Sequence, residues 1–284
     1  MPLKTLIIGK DGQLGSELLR IIQGSIGTSR REGSANYVNL SDPKTIEDTI
    51  LRESPDVVIN AAANTNVDAC ETNKKEAYEV NALSVRSMES ACSRTGSYLI
   101  HVSTDYVFDG EKGMYVESDI PNPINYFGLT KLVGESFAFA YDRSLVIRTS
   151  GIYGIKMNFP LFVIKTLRES GTVNCIDSYY SPIHATMLAL AIKELVGKEI
   201  HGILNISGKR ISRYEFATEI KNRLKIDTGN IVLNKTQTLA KARRPYDSSL
   251  NNEKAASMLS TNFMDLDKSI EYLKNYAEIK QNGI

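Results

Sequence analysis

A hydroxyl at a strand end, a phenol and a lysine opening the next helix can together carry hydride chemistry. The stretch from Val102 to Glu135 holds all three kinds of group. It reads Val102-Ser103-Thr104-Asp105-Tyr106-Val107-Phe108-Asp109-Gly110, then a loop, then Asn125-Tyr126-Phe127-Gly128-Leu129-Thr130-Lys131 and on to Gly134-Glu135. In such a trio the hydroxyl and the phenol hold the substrate oxygen, whereas the lysine lowers the phenol's pKa and binds the cofactor ribose. The catalytic candidates are Thr104, Lys131 and Tyr126, with Ser103 beside Thr104 as a second hydroxyl.

The elements that must position them follow from apolar runs. Tyr98-Leu99-Ile100-His101-Val102 is expected as a buried strand that delivers the hydroxyls, and the segment after Asn125 as a helix. Near the amino terminus, Leu3 to Ile8 reads as a strand, followed by Gly9-Lys10-Asp11-Gly12-Gln13-Leu14-Gly15 and a helical pattern through Leu18, Leu19 and Ile22. Strand, glycine turn and helix start are the context of a dinucleotide fingerprint. Gly9 permits the turn, Gly12 lets backbone N–H groups approach a pyrophosphate, and Gly15 lets the helix pack close to the strand. Gln13 and Leu14 open that helix and join the cofactor candidates.

The segment from Ser25 to Arg31 is expected as the second strand and its exit, where a dinucleotide site reads the ribose 2′ position. Ser29, Arg30 and Arg31 stand where an acid would favour NAD, so NADP(H) is expected ahead of NAD(H). A pair of arginines merely solvated after an edge strand would look the same. Tyr37 to Leu40 fits a third short strand, with Ser41 or Asp42 capping a helix that has Pro43 in its first turn. Pro55 to Ala63 is a fully buried fourth strand, and its small terminal residues would let a flat cofactor lie against the backbone. Lys74 to Arg94 reads as one long helix.

Composition excludes several classes. A chain of 284 residues with 42% hydrophobic content suits an α/β unit with a smaller second lobe. With Lys+Arg at 34 against Asp+Glu at 33, the net charge of +1 gives no reason to expect nucleic acid or an anionic membrane as partner. Cys70, Cys92 and Cys175 are too far apart for a disulfide framework or a zinc site, and His101, His184 and His201 show no metal spacing. No signal peptide or membrane-length apolar run is seen, so a cytoplasmic protein is expected, and no residue is assigned as a metal ligand.

The Val102–Glu135 stretch resembles the extended short-chain dehydrogenase/reductases, and within them the dTDP-4-dehydrorhamnose reductase family. That family ends its fifth strand in Ser-Thr-Asp-Tyr-Val-Phe and opens its catalytic helix with Asn-x-Tyr-Gly-x-[Ser/Thr]-Lys-Leu-x-Gly-Glu. The resemblance implies an NAD(P)-binding Rossmann fold, a doubly wound parallel sheet with a smaller carboxyl-terminal substrate lobe. Residues 1–150 would be the dinucleotide-binding domain and 151–284 mainly the substrate lobe, with a strand near 202–207 returning to the main sheet. The implied activity is reduction of a 4-keto-deoxysugar nucleotide, dTDP-4-dehydrorhamnose, in dTDP-rhamnose biosynthesis. The partner would be that dTDP-sugar, and a homodimer is compatible with the family.

Residue by residue, the resemblance places Thr104 at the family's catalytic position. Ala61-Ala62-Ala63 and Thr65 would line the cofactor, together with Ser29, Arg30, Asn39, Leu40 and Ser103, and Val67 would lie toward the sugar. Asp105 joins the substrate group. Asn81 matches an asparagine that buttresses the active site in relatives, although a lone helix asparagine needs no such role. Arg243-Arg244-Pro245 matches the family's Arg-Pro pattern, and Arg244 would clamp a pyrophosphate with its fork of donors. Related dehydratases carry Asp-Glu where this chain has Asp105-Tyr106, which disfavours a dehydratase.

Two positions depart from the family. Gly151 replaces a tryptophan that packs over the deoxysugar in some members, a loss expected to open the pocket. The family's tyrosine lies four residues before the lysine, where this chain has Phe127, and Tyr126 stands one residue early. Three readings follow. Tyr126 reaches in through a distorted first helical turn; water or Tyr106 supplies the proton to a slow enzyme; or the chain is a catalytically impaired nucleotide-binding or regulatory relative. The regulatory subunit of methionine adenosyltransferase, which resembles the same family, is a precedent in kind for the third.

Overall fold

The short apolar runs become the strands of one parallel sheet, because helices cover both of its faces and each run is buried on both sides. The structure, a computed structural model, describes residues 2–234 and 241–281, with side chains up to 274. Strand β1 (Thr5–Ile8) leads through helix α1 (Gln13–Ile21) to β2 (Ile26–Gly27), and α2 (Pro43–Glu53) leads to β3 (Val57–Asn60). Helix α3 (Val67–Thr72) precedes α4 (Lys74–Tyr78), a π-helical turn (Glu79–Leu83) and α5 (Ser84–Thr95). Then come β4 (Tyr98–Thr104), a 3₁₀ turn (Asp105–Val107), α6 (Tyr126–Phe139) and β5 (Ser144–Thr149). Helix α7 (Phe159–Arg168), β6 (Thr172–Ile176), β7 (Tyr179–Tyr180) and α8 (Ala185–Leu195) precede β8 (Gly202–Asn205). Strand β9 (Ile211–Ser212), α9 (Arg213–Arg223) and β10 (Asn230–Asn234) follow.

The main sheet runs β2-β1-β3-β4-β5-β8, all parallel. Strand order reverses at β1, with β2 on one side and β3 on the other, and such a reversal opens a crevice beyond the strands' carboxyl ends. One face of the sheet packs on Leu14 and Leu18 of α1 and on Leu188 and Ile192 of α8. The other packs on Ile46 and Ile50 of α2 and on Val85 and Met88 of α5. A separate apolar cluster, with Ile164, Val173, Phe216 and Ile220, joins α7, β6 and α9 beside the crevice.

Two sequence expectations change. Tyr37–Leu40 is no strand: only Tyr37 bridges, to Ser29, because β2 offers a two-residue edge and the α2 cap follows at Asp42. The long helix from Lys74 is interrupted by the π turn, which brings Asn81 against α6. A Cβ at Gly134 would lie 2.5 Å from the Asn81 carbonyl, so only glycine permits this approach.

Candidate active site

The carboxyl ends of β1, β3, β4 and β5 open into one cavity of about 1240 Å³. At its cofactor end the wall is backbone. Gly9 has φ +91°, and a Cβ there would meet the Ala62 methyl at 2.7 Å. A Cβ at Gly15 would lie 2.1 Å from the Gly9 carbonyl. Gly12 caps α1 without a side-chain acceptor, so the first N–H groups of that nine-residue helix are left for an anion. This cradle, filled by any side chain, fits a dinucleotide pyrophosphate. Gly9, Gly12, Gln13, Leu14, Ser29, Arg30, Asn39, Leu40, Ala61, Ala62, Ala63 and Thr65 all line the cavity. Gly15 does not, and its part is to let α1 pack. Ser29 Oγ donates to Asp11 Oδ2 at 2.5 Å, and this hydrogen bond holds the Asp11 carboxyl below its usual range.

At the reducing end, Ser103, Thr104, Asp105 and Lys131 line the same cavity, with Val67 and Arg244. Lys131 is 2% exposed, and its Nζ donates to the Val102 carbonyl at 2.7 Å and meets His101 Nε2 at 3.3 Å. The Ala62 N–H donates to Asn60 Oδ1, which turns Asn60 Nδ2 toward His101 Nδ1 at 3.0 Å. A neutral His101 therefore carries its proton on Nε2, which faces the charged lysine without accepting from it. Burial keeps His101 neutral and lowers Lys131 to about 8, against a smaller opposing pull from Glu135.

The Glu135 carboxylate is spent elsewhere. It pairs with Arg148 (Nη2 to Oε2 2.7 Å) and accepts from Ser103 Oγ at 2.5 Å, all three groups being buried. Ser103 thus gives its proton to the network that ties α6 to β4 and β5. Thr104 also lines the cavity, and its one hydroxyl proton goes to the neighbouring carboxyl. Its Oγ1 donates to Asp105 Oδ1 at 3.0 Å, and Asp105 Oδ2 accepts from Ser150 and Ser248 at 2.7 and 2.6 Å. Burial raises the Asp105 carboxyl, and these hydroxyls pull it back.

Tyr126 is not brought to the cavity. Its backbone N–H donates to Glu71 at 2.7 Å, its ring lies 5.2 Å from Lys74 Nζ, and it packs with Val67, Cys70 and Ala77. The first turn of α6 is regular and capped by Asn125, so one residue's step turns the side chain about 100° away. Phe127 occupies the wall instead, 6% exposed, with the Tyr106 ring edge-on at 5.9 Å and 74°. Tyr106 also lines the cavity.

Other residues appear that spacing alone does not reveal. Gly151 lines the cavity, and the Tyr180 ring packs over it, where a Cβ would meet that ring at 2.8 Å. Arg213 lines the cavity from the start of α9, behind the Ser212–Glu215 capping box. Tyr180 and Arg213 come from two remote segments, and only the Tyr179-Tyr180 pair and the arginine after a capping serine hint at them in sequence. Arg244 is paired with Asp68 (3.1 Å), whose carboxyl is held low first by the Ala242 N–H and then by Arg244. Asn81 braces the strand exit through both backbone groups of Asn64.

A glycine-turn cradle, a strand-end threonine and a buried lysine in one cavity define a Rossmann-type oxidoreductase of the extended short-chain class. The model of the RmlD substrate binding domain family matches residues 3–277. The chain is 33% identical to the dTDP-4-dehydrorhamnose reductase of Salmonella typhimurium over 267 residues, covering 88% of this chain and 89% of that protein. A crystal structure of a hypothetical dTDP-4-dehydrorhamnose reductase from Sulfolobus tokodaii aligns with TM-score 0.88 at 47% identity, over 94% of this chain and 99% of that one. The Bacillus anthracis enzyme, in complex with NADP, aligns with TM-score 0.89 at 25% identity, over 97% and 99%. The chain belongs to the dTDP-4-dehydrorhamnose reductase family, whose members are sugar-nucleotide reductases. Among the described residues no helix is long and apolar enough to cross a membrane, and no cluster of His, Cys, Asp or Glu is placed to hold a metal.

Proposed function

We propose that the protein reduces the 4-keto group of dTDP-4-dehydrorhamnose, using NADP(H) ahead of NAD(H). The observation that carries this reading is that the glycine cradle, Thr104 and Lys131 line one continuous cavity. NADPH, when bound, supplies the hydride. The cradle and the α1 N-terminus would hold its diphosphate, Ser29 and Arg30 would face its 2′-phosphate, and Lys131 would hold the nicotinamide ribose. Thr104 would turn its one hydroxyl proton from Asp105 Oδ1 to the keto oxygen, and Val67 and Asp105 would border the sugar. Arg244 is a further substrate contact, for which the diphosphate has to compete with Asp68.

A phenylalanine gives no proton, and losing a general acid costs about a hundred- to ten-thousand-fold in rate. The proton comes from the Tyr106 phenol beside Phe127 or from water on Thr104, and the enzyme is slow. The test is loss of NADPH absorbance with dTDP-4-dehydrorhamnose. Slow turnover that falls in Thr104→Val supports the reading, and no turnover contradicts it. The second reading, a nucleotide-binding relative without turnover, is favoured by Phe127 in the wall and Tyr126 outside it. Tight dTDP binding with no oxidation would select that second reading.

A further inference from the structure

A sugar nucleotide brings its own diphosphate, and a cavity that holds one needs a cation not already spent. Lys131 is buried against His101 and the Val102 carbonyl. Arg30 lies at the opposite, cofactor end. Arg244 gives one nitrogen to Asp68 Oδ2 at 3.1 Å and another to the Ala242 carbonyl at 2.9 Å. Arg213 shares the reducing end with Arg244 and, unlike Arg244, has no ion pair among the described residues.

Its guanidinium is held by ring faces. The central carbon lies 4.6 Å from the Tyr180 centroid and 5.2 Å from that of Phe159. Such faces fix a guanidinium and leave its in-plane N–H donors free. The Tyr180 face exists because position 151 is glycine, at φ +45°, with no Cβ to collide with the ring. The guanidinium also faces the Tyr106 phenol, whose ionised form it favours against the effect of burial. The chain of contacts therefore runs from Gly151 through Tyr180 to a pre-positioned fork of donors in the cavity wall, which meets the Tyr106 phenol but has no ion-pair partner among the described residues.

We infer that Arg213 is the main binding residue for the diphosphate of the nucleotide substrate, with Tyr180 as its platform and Arg244 in a lesser part. This rests on the sugar-nucleotide reading above and names the residue that reading lacks. A fork on a phosphate forms charge-assisted, two-pronged hydrogen bonds, about twice as strong as neutral ones.

The test is titration calorimetry of dTDP, without turnover, on the full chain and its variants. Arg213→Gln is expected to weaken dTDP about ten- to a hundred-fold. Arg213→Lys should recover part of that, and Arg244→Gln should cost less than about five-fold. NADPH affinity, measured alongside, should stay within about two-fold for Arg213→Gln, since its fork is away from the glycine cradle. Equal dTDP affinity in wild type and Arg213→Gln, or a larger loss from Arg244→Gln, overturns the assignment while leaving the nucleotide reading intact. A wild type that binds NADPH but no dTDP overturns both.

Discussion

Where Gly9 meets Ala62 and Gly12 opens α1, the cavity wall is backbone and methyl groups. Where Tyr106, Phe127, Tyr180 and Arg213 meet, it is side chains delivered by four separate segments. The first kind of wall tolerates little change, because a Cβ at Gly9 strikes the Ala62 methyl, one at Gly15 behind the wall strikes the Gly9 carbonyl, and one at Gly12 sits tightly at 3.1 Å from that carbonyl. The second can exchange one side chain for another while the backbone beneath stays put. Here the family's tryptophan is glycine at 151 and a tyrosine from β7 packs over it, and the phenol expected at 127 has lost its hydroxyl while the ring remains. A family's cofactor end and its substrate end therefore carry different weight as guides to activity.

The contrast can be broken deliberately. The largest effect expected is on folding, from Glu135→Ala beneath the reducing end. It leaves Arg148 buried and unpaired, a change that costs about 3–5 kcal/mol, read as the fall in denaturant midpoint. At the cofactor end, Gly15→Ala forces a Cβ to 2.1 Å from the Gly9 carbonyl. Overpacking of this kind costs about 1–3 kcal/mol. The expected functional loss, more than about a hundred-fold in NADPH affinity by fluorescence titration, follows from moving the N–H groups of the cradle.

Lys131 links the two ends. Its ammonium is lost as pH rises through about 8, whereas an ordinary lysine stays charged to near 10.5. The kcat profile should therefore be level below 8 and fall above it. His101→Leu should shift that descending limb, because His101 is the polar neighbour that faces the amine from β4, opposite Glu135 on α6. An unchanged profile in this variant would deny His101 any influence on the lysine. The smallest effect is expected from Tyr126→Phe, under about two-fold in kcat, since that ring sits beside Lys74 and outside the cavity.

The legible part of the site in sequence was the part with local spacing. Gly9 to Gly15, Ala61 to Ala63 and Thr104 to Lys131 each lie within or next to one strand-to-helix connection, and short-range order places them. The two-residue β2 shows the limit of that method, because an edge strand is set by its neighbour's length rather than by its own apolar pattern. The missing third strand has the same cause. Tyr180 and Arg213 were not legible, since their meeting depends on β7 pairing antiparallel with β9 and on empty space above Gly151. The commitment of Ser103 to Glu135 rather than to substrate is likewise a tertiary fact, decided by where α6 crosses β4 and β5.

The most direct measurement is NADPH oxidation with dTDP-4-dehydrorhamnose by wild type, Tyr126→Phe and Phe127→Tyr side by side. The cofactor end being intact and the proton-donor position being the altered one, wild type should turn over slowly and Tyr126→Phe should match it. Phe127→Tyr should be faster by about a hundred-fold, the lower range for restoring a general acid. Abolition of turnover by Tyr126→Phe, with no gain from Phe127→Tyr, would contradict this account and make the displaced tyrosine the acid.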